Sequence, residues 1–129
     1  MKKVMLLGIN SKFVHTNIAI RYIKKYVEKY SDIEIEIFEK TINNHVEEII
    51  ADIYRKKPEI LMISAYIWNS EYVYKLITEV KKVFKNLTLV LGGPEVSYNA
   101  IELMNKYIEI DYIISGEGEK TTLEFLTKD

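Results

Sequence analysis

Five short apolar runs alternate with segments whose apolar residues recur every three to four positions, and this alternation limits the possible folds more than any other feature. Lys3 to Ile9 and Glu59 to Ala65 are apolar almost throughout, as strands covered on both faces are. Ile33 to Glu39 instead alternates strictly, which predicts a strand with a wet face or a place at the sheet edge. Thr88 to Leu91 and Tyr112 to Ser115 supply two further strands. After the loop Asn10 to Thr16, a helix is predicted to about Tyr30, with Ile20, Ile23 and Val27 on one face and Thr16 or Asn17 as its cap. A second starts near Asn44, where Asn44 and Glu47 have capping-box spacing. Val46, Ile49, Ile50 and Ile53 form its apolar stripe, and Pro58 ends the segment. A third opens at Asn69 or Ser70 and turns Val73, Leu76, Ile77, Val80, Val83 and Phe84 inward. A shorter helix spans about Tyr98 to Lys106, and a last one begins near Lys120.

Strict strand–helix alternation means a parallel sheet with helices on both faces. An edge-type second strand beside central first and third strands predicts the order 2-1-3-4-5, a flavodoxin-like (Rossmann-like) three-layer α/β sandwich. The length suits one domain. Ligands in such sheets bind outside the carboxyl ends of the strands, at the switch point between strands one and three. The loops that matter are therefore Asn10 to Thr16, Ser64 to Asn69, Gly92 to Ser97 and Ser115 to Glu119. Two of them open on small residues, Gly92-Gly93-Pro94 and Ser115-Gly116-Glu117-Gly118, where bare backbone can lie against a bulky ligand. Gly92 and Gly93 alone would read as a turn stiffened by Pro94; with Gly116 and Gly118 opposite, they read as the wall of a ligand channel.

Several chemistries are excluded or disfavoured. A net charge of −1, with lysines and glutamates interspersed, gives no case for nucleic acid or an anionic membrane. No apolar run approaches the roughly 20 residues of a membrane span, and the start lacks a signal peptide's long apolar core, so a cytoplasmic protein is expected. The absence of cysteine removes disulfides, thiolate catalysis and any self-held iron–sulfur cluster. His15 and His45 show no metal-ligand spacing. Strand one ends in Gly8-Ile9-Asn10 and strand three in Ser64-Ala65-Tyr66, which lack the acids of a phosphoreceiver domain. Only Gly8 is present where a dinucleotide site needs three glycines, and Gly116 to Thr121 has the wrong spacing for a phosphate loop. Ser11, Thr16 and Asn17 leave flavin mononucleotide as an alternative at the first helix N-terminus.

Four pieces in order resemble the cobalamin-binding domain at the N-terminus of many radical S-adenosylmethionine (SAM) enzymes: Leu7 to Asn17, Ile63 to Asn69, Val90 to Ser97 and Ile114 to Glu119. The resemblance implies that the corrin lies over the strand ends while its dimethylbenzimidazole-bearing tail threads between the sheet and the helices. It implies cofactor contacts at Asn10, Ser64, Tyr66, Gly92, Gly93, Pro94, Gly116, Glu117 and Gly118. Tyr66 and Trp68 would stack on the corrin or simply cover the sheet end. The chain lacks the Asp-x-His-x-x-Gly loop whose histidine binds cobalt in the mutases, since His15 has neither the aspartate nor the glycine. Cobalamin is therefore expected base-off, with no metal ligand from the protein, His15 being a surface or capping residue. Glu95 stands where relatives often carry histidine.

The resemblance further implies a catalytic radical SAM domain in cis, holding SAM and a 4Fe–4S cluster outside these residues, so the chain reads as a fragment of a longer enzyme. Its reaction would be methyl transfer or a related radical reaction, such as that of the magnesium-protoporphyrin monomethyl ester cyclase. The alternatives are a non-catalytic module of the same fold, with flavin mononucleotide or a degenerate site, or a cobalamin-responsive interaction domain. Glu117 and Glu119 are read as carboxylates favoured by the last helix's N-terminal dipole rather than as an acid–base pair. A bulky side chain at Gly93 is expected to fill the tail path without disturbing the fold.

Overall fold

Side chains alternate between the faces of a strand, so a run buried along its whole length must serve two cores. The structure, a computed structural model, describes residues 3–10, 18–65, 69–93, 96, 99–114 and 118–128. Every residue of β1 (Val4–Asn10) is buried. There follow α1 (Ile18–Tyr30), β2 (Ile35–Thr41), α2 (Val46–Lys56), β3 (Ile60–Ser64), α3 (Ser70–Val83), β4 (Thr88–Gly92), α4 (Ala100–Lys106), β5 (Tyr112–Ile114) and α5 (Gly118–Thr127). The strands form one parallel sheet in the order β2-β1-β3-β4-β5. Fold class and strand order are those expected.

Two cores divide the sheet. Met5, Leu7 and Ile9 of β1, with Leu61, Ile63, Leu89 and Leu91, pack against Ile49 and Ile53 of α2, Leu76, Ile77 and Val80 of α3, and Leu103 of α4. Val4 and Leu6, with Met62, Val90 and Ile114, pack on the other face against Ile20 and Val27 of α1 and Leu126 of α5. Each fully buried aliphatic side chain contributes about 1.5–3 kcal/mol, which makes these two layers the main source of stability.

The edge strand explains its own alternation. Ile35 and Ile37 join the α1 side, while Glu36 and Lys40 reach ion pairs with Lys56 (3.0 Å) and Asp52 (2.8 Å) of α2. Asp52, buried beneath them, also pairs with Arg55. Charges on an exposed edge discourage pairing with a second sheet. At the opposite side, Asp111 extends the ladder ahead of the first residue of β5: its backbone N–H donates to Leu89 O at 2.9 Å, and its carboxylate accepts from the Leu89 N–H and Lys81 Nζ, both at 2.8 Å.

Three local expectations fail. The strict alternation begins at Ile33, but pairing with β1 begins at Ile35 and runs to Thr41. Asn44 does not cap α2: its side-chain oxygen accepts from the Thr41 N–H at 2.8 Å, closing the turn after β2, and its amide donates to Glu48 at 2.8 Å. The cap position falls to His45, which makes no side-chain cap bond. Val83, placed inward by periodicity, is 56% exposed, because it sits at the last turn of α3, beyond the sheet's cover.

Candidate functional site

The β1–β3 ladder stops at Leu7 opposite Ile63. Beyond it β1 stays with β2 as far as Asn10 opposite Thr41, and β3 stays with β4 as far as Ser64 opposite Gly92. The two central strands thus part at their carboxyl ends, opening the crevice that the topology predicts at its switch point.

Alternation also decides what lines it. Val4 and Leu6 face α1 and α5, so Gly8 and Asn10 continue that row; Met62 is continued by Ser64, and Val90 by Gly92. Ser64, Gly92 and Ile114 lie side by side in register. A layer filled by leucine, methionine and valine lower down therefore gives way, at the strand ends, to glycine, serine and asparagine. Among the described residues a Cβ built on Gly92 would meet only the Ile114 carbonyl, at an ordinary 3.7 Å, so none of them requires glycine there. Asn10 and Ser64 are both buried.

On the same side of the sheet one stripe of α5, Gly118, Thr122 and Leu126, each one turn apart, turns toward α1: a Cβ on Gly118 would meet Ile23, and Leu126 joins the core of Ile20 and Val27. Thr122 is 1% exposed, and its hydroxyl has no hydrogen-bond partner among the described residues. A buried hydroxyl without a partner costs about 1–3 kcal/mol. Gly118 differs from the expectation of an open loop glycine. It begins α5, two residues before the predicted start, and a Cβ on it would stand 3.1 Å from Ile23 Cδ1. Its small size lets α5 lie close against α1.

Gly93 plays a third part. Its φ is +105°, and a Cβ there would come within 2.4 Å of the Ala65 carbonyl oxygen and 3.0 Å of its nitrogen. The Ala65 N–H donates to Gly92 O at 2.7 Å. The exits of β3 and β4 are thereby locked backbone to backbone. This overturns the expectation that a bulky residue at 93 would leave the fold intact, because the side chain would enter protein backbone before reaching any ligand.

Asn69, read from the sequence as a helix start at the end of the loop Ser64 to Asn69, lies 1% exposed at the base of the crevice. Its amide donates to Ile9 O at 2.9 Å and to Ser64 O at 3.3 Å. Nearby, Tyr72 of α3 donates to Asn44 O at 2.6 Å; burial, then Glu48 and Glu47, push its phenol above the usual range, so it serves as a neutral tie. Glu119 occupies the first turn of α5. Tyr66, Pro94, Gly116 and Glu117, with Thr16, Asn17, His15, Trp68 and Glu95, lie outside the described residues. Sequence reading missed Thr122 and the second role of Asn69. A polar residue in the stripe 118/122/126 was the available signal for the first.

The described part of the site offers small walls, bare backbone and buried polar atoms. Among the described residues no group of three His, Cys, Asp or Glu side chains is placed to hold a metal ion, and no helix is long and apolar enough to cross a membrane.

Comparison with known proteins gives three findings. The sequence model of the B12 binding domain matches residues 4–126. The chain is 33% identical over 70 residues to the cobalamin-dependent radical SAM methyltransferase TokK of Streptomyces tokunonensis, covering 54% of this chain and 10% of that protein. It is 31% identical over 81 residues to the 2-(S-pantetheinyl)-carbapenam-3-carboxylate methyltransferase of Streptantibioticus cattleyicolor, covering 63% and 12%. Among solved structures, the radical SAM methyltransferase TsrM of Kitasatospora setae superposes with a TM-score of 0.80 at 18% identity, over 98% of this chain and 25% of that one, which shows a shared fold. The chain thus spans about a tenth of the curated relatives it matches.

Proposed function

The chain belongs to the B12-binding domain family, and from that premise we propose that it binds cobalamin and presents it to a catalytic radical SAM partner domain, most simply in the same polypeptide. The carrying observation is the family match across residues 4–126, on a sheet whose central strands part at their carboxyl ends. The fit of residues to ligand supports it. Asn10, Ser64 and Gly92 would wall a slot on the α1/α5 face of the sheet, Thr122 would meet the ligand from α5, and in the sequence Tyr66, Pro94, Gly116 and Glu117 follow the same strands. Gly93 and Gly118 would act indirectly, by letting the backbones that frame the slot approach each other.

Bound cobalamin would supply methyl-transfer chemistry, the reaction class named for both curated relatives. The residues of this chain would hold the tail, orient the corrin and keep water from its lower face. With its tail drawn into the slot the cofactor would be base-off, and it would carry no protein histidine on cobalt, since His15, which follows β1 in the sequence, lacks the aspartate and glycine that accompany a cobalt-binding histidine. SAM and the 4Fe–4S cluster would belong to the partner domain, because these 129 residues include no cysteine.

Thr122→Val tests the slot. Valine keeps the shape and removes the orphaned hydroxyl, so the melting temperature should stay level or rise slightly. Affinity for hydroxocobalamin should fall about five- to tenfold, the worth of one hydrogen bond. Unchanged affinity in calorimetry would take Thr122 out of the ligand's path.

A further inference from the structure

An asparagine at a helix N-cap ordinarily turns its side-chain oxygen onto its own helix, which is worth about 1 kcal/mol. Asn69 holds the cap position of α3, where its carbonyl accepts from the Val73 N–H at 2.9 Å, yet its side chain makes no cap bond. The amide is turned inward instead. One nitrogen donates to Ile9 O of β1 (2.9 Å) and to Ser64 O of β3 (3.3 Å), carbonyls of two strands that no longer pair with each other. Its two N–H bonds replace the strand-to-strand ladder where that ladder has ended. Their length sets how far the strands part. A shorter bridge would let β1 and β3 zip further and close the crevice; no bridge would leave two buried carbonyls to find other partners.

We propose that Asn69 is a positioning residue for the corrinoid site: it holds the exits of β1 and β3 at the separation the cofactor tail needs. This inference rests on the cobalamin reading above and deepens it. Asn69 need not touch the cofactor; it acts through Ile9 and Ser64.

The test is Asn69→Asp in the full 129-residue chain. The two side chains have the same size. A protonated carboxyl can still donate one bond, whereas an ionised one donates none and is repelled by both carbonyls. Facing two carbonyl oxygens, the introduced carboxyl has its pKa raised above the unfolded value. Its contribution is therefore present at low pH and lost as pH rises through the folded value. Hydroxocobalamin affinity is measured beside wild type between about pH 5 and pH 8, with circular dichroism following the fold at each pH. The expected result is near-parity with wild type at the acid end and a loss of about tenfold at the alkaline end in protein that remains folded. A variant-to-wild-type ratio that stays flat with pH would overturn the inference, as would a loss of affinity that only follows loss of fold. Wild-type protein that binds no cobalamin would instead overturn the reading beneath it.

Discussion

Replacing Gly93 by alanine is expected to lower the melting temperature by on the order of 10 °C, whether or not cobalamin is present. Two costs combine. At φ +105° an L-residue is strained, which costs of order 1–3 kcal/mol. The new Cβ would also stand 2.4 Å from the Ala65 carbonyl oxygen, a backbone atom that cannot swing aside as a side chain would. Ala65 is in turn tied to Gly92 by its N–H, so relief at one exit strains the other. Together these give roughly 2–4 kcal/mol, a large share of the 5–15 kcal/mol that a domain has in total. Leucine at this position should prevent folding. Thermal denaturation measures the effect directly, and a wild-type melting temperature for Gly93→Ala would mean that β3 and β4 do not leave the sheet in this contact.

Gly92→Ala should do the opposite, sparing the fold and impairing the ligand. Among the described residues its Cβ would meet only the Ile114 carbonyl, at 3.7 Å, and β4 is ordinary parallel strand as far as this residue. The melting temperature should therefore move by no more than a few degrees. The added methyl projects toward α1 and α5, into the row continued by Ser64 and Asn10. Overpacking a fitted site by one methyl costs about 1–3 kcal/mol, so hydroxocobalamin affinity should fall roughly 10- to 100-fold. Adjacent glycines would then be separated by experiment: one needed by the chain, the other by what the chain binds. Wild-type affinity in Gly92→Ala would show that the tail does not pass this strand.

The alternation of apolar runs and helical stripes was enough to read the layers, the strand order and the switch point, because burial on one or both faces leaves a period in the sequence. Side-chain allegiance was less legible. Asn44 and Asn69 both stand before helices, where asparagine is a cap, but each spends its side chain on strands: Asn44 on the turn after β2, Asn69 across the β1–β3 gap. Spacing does not separate these uses: Asn44 turns back to Thr41, three residues before it, while Asn69 reaches Ser64, five residues before it, and Ile9, sixty before it. The glycine pairs show the same limit. Composition marks Gly92, Gly93 and Gly118 alike, while a positive φ at one, an ordinary contact with the Ile114 carbonyl at another and the approach of Ile23 at the third assign them different work. Thr122 became meaningful only when its hydroxyl proved to be buried without a partner among the described residues.

The most direct measurement is a titration of the purified chain with hydroxocobalamin, followed by visible absorbance. The account predicts saturable binding of one cobalamin per chain, with the spectrum of the base-off form, weakened by Gly92→Ala and left without any cobalt-ligand signature of His15 when His15→Ala is compared. Absorbance that tracks free hydroxocobalamin throughout, in protein shown to be folded, would contradict it.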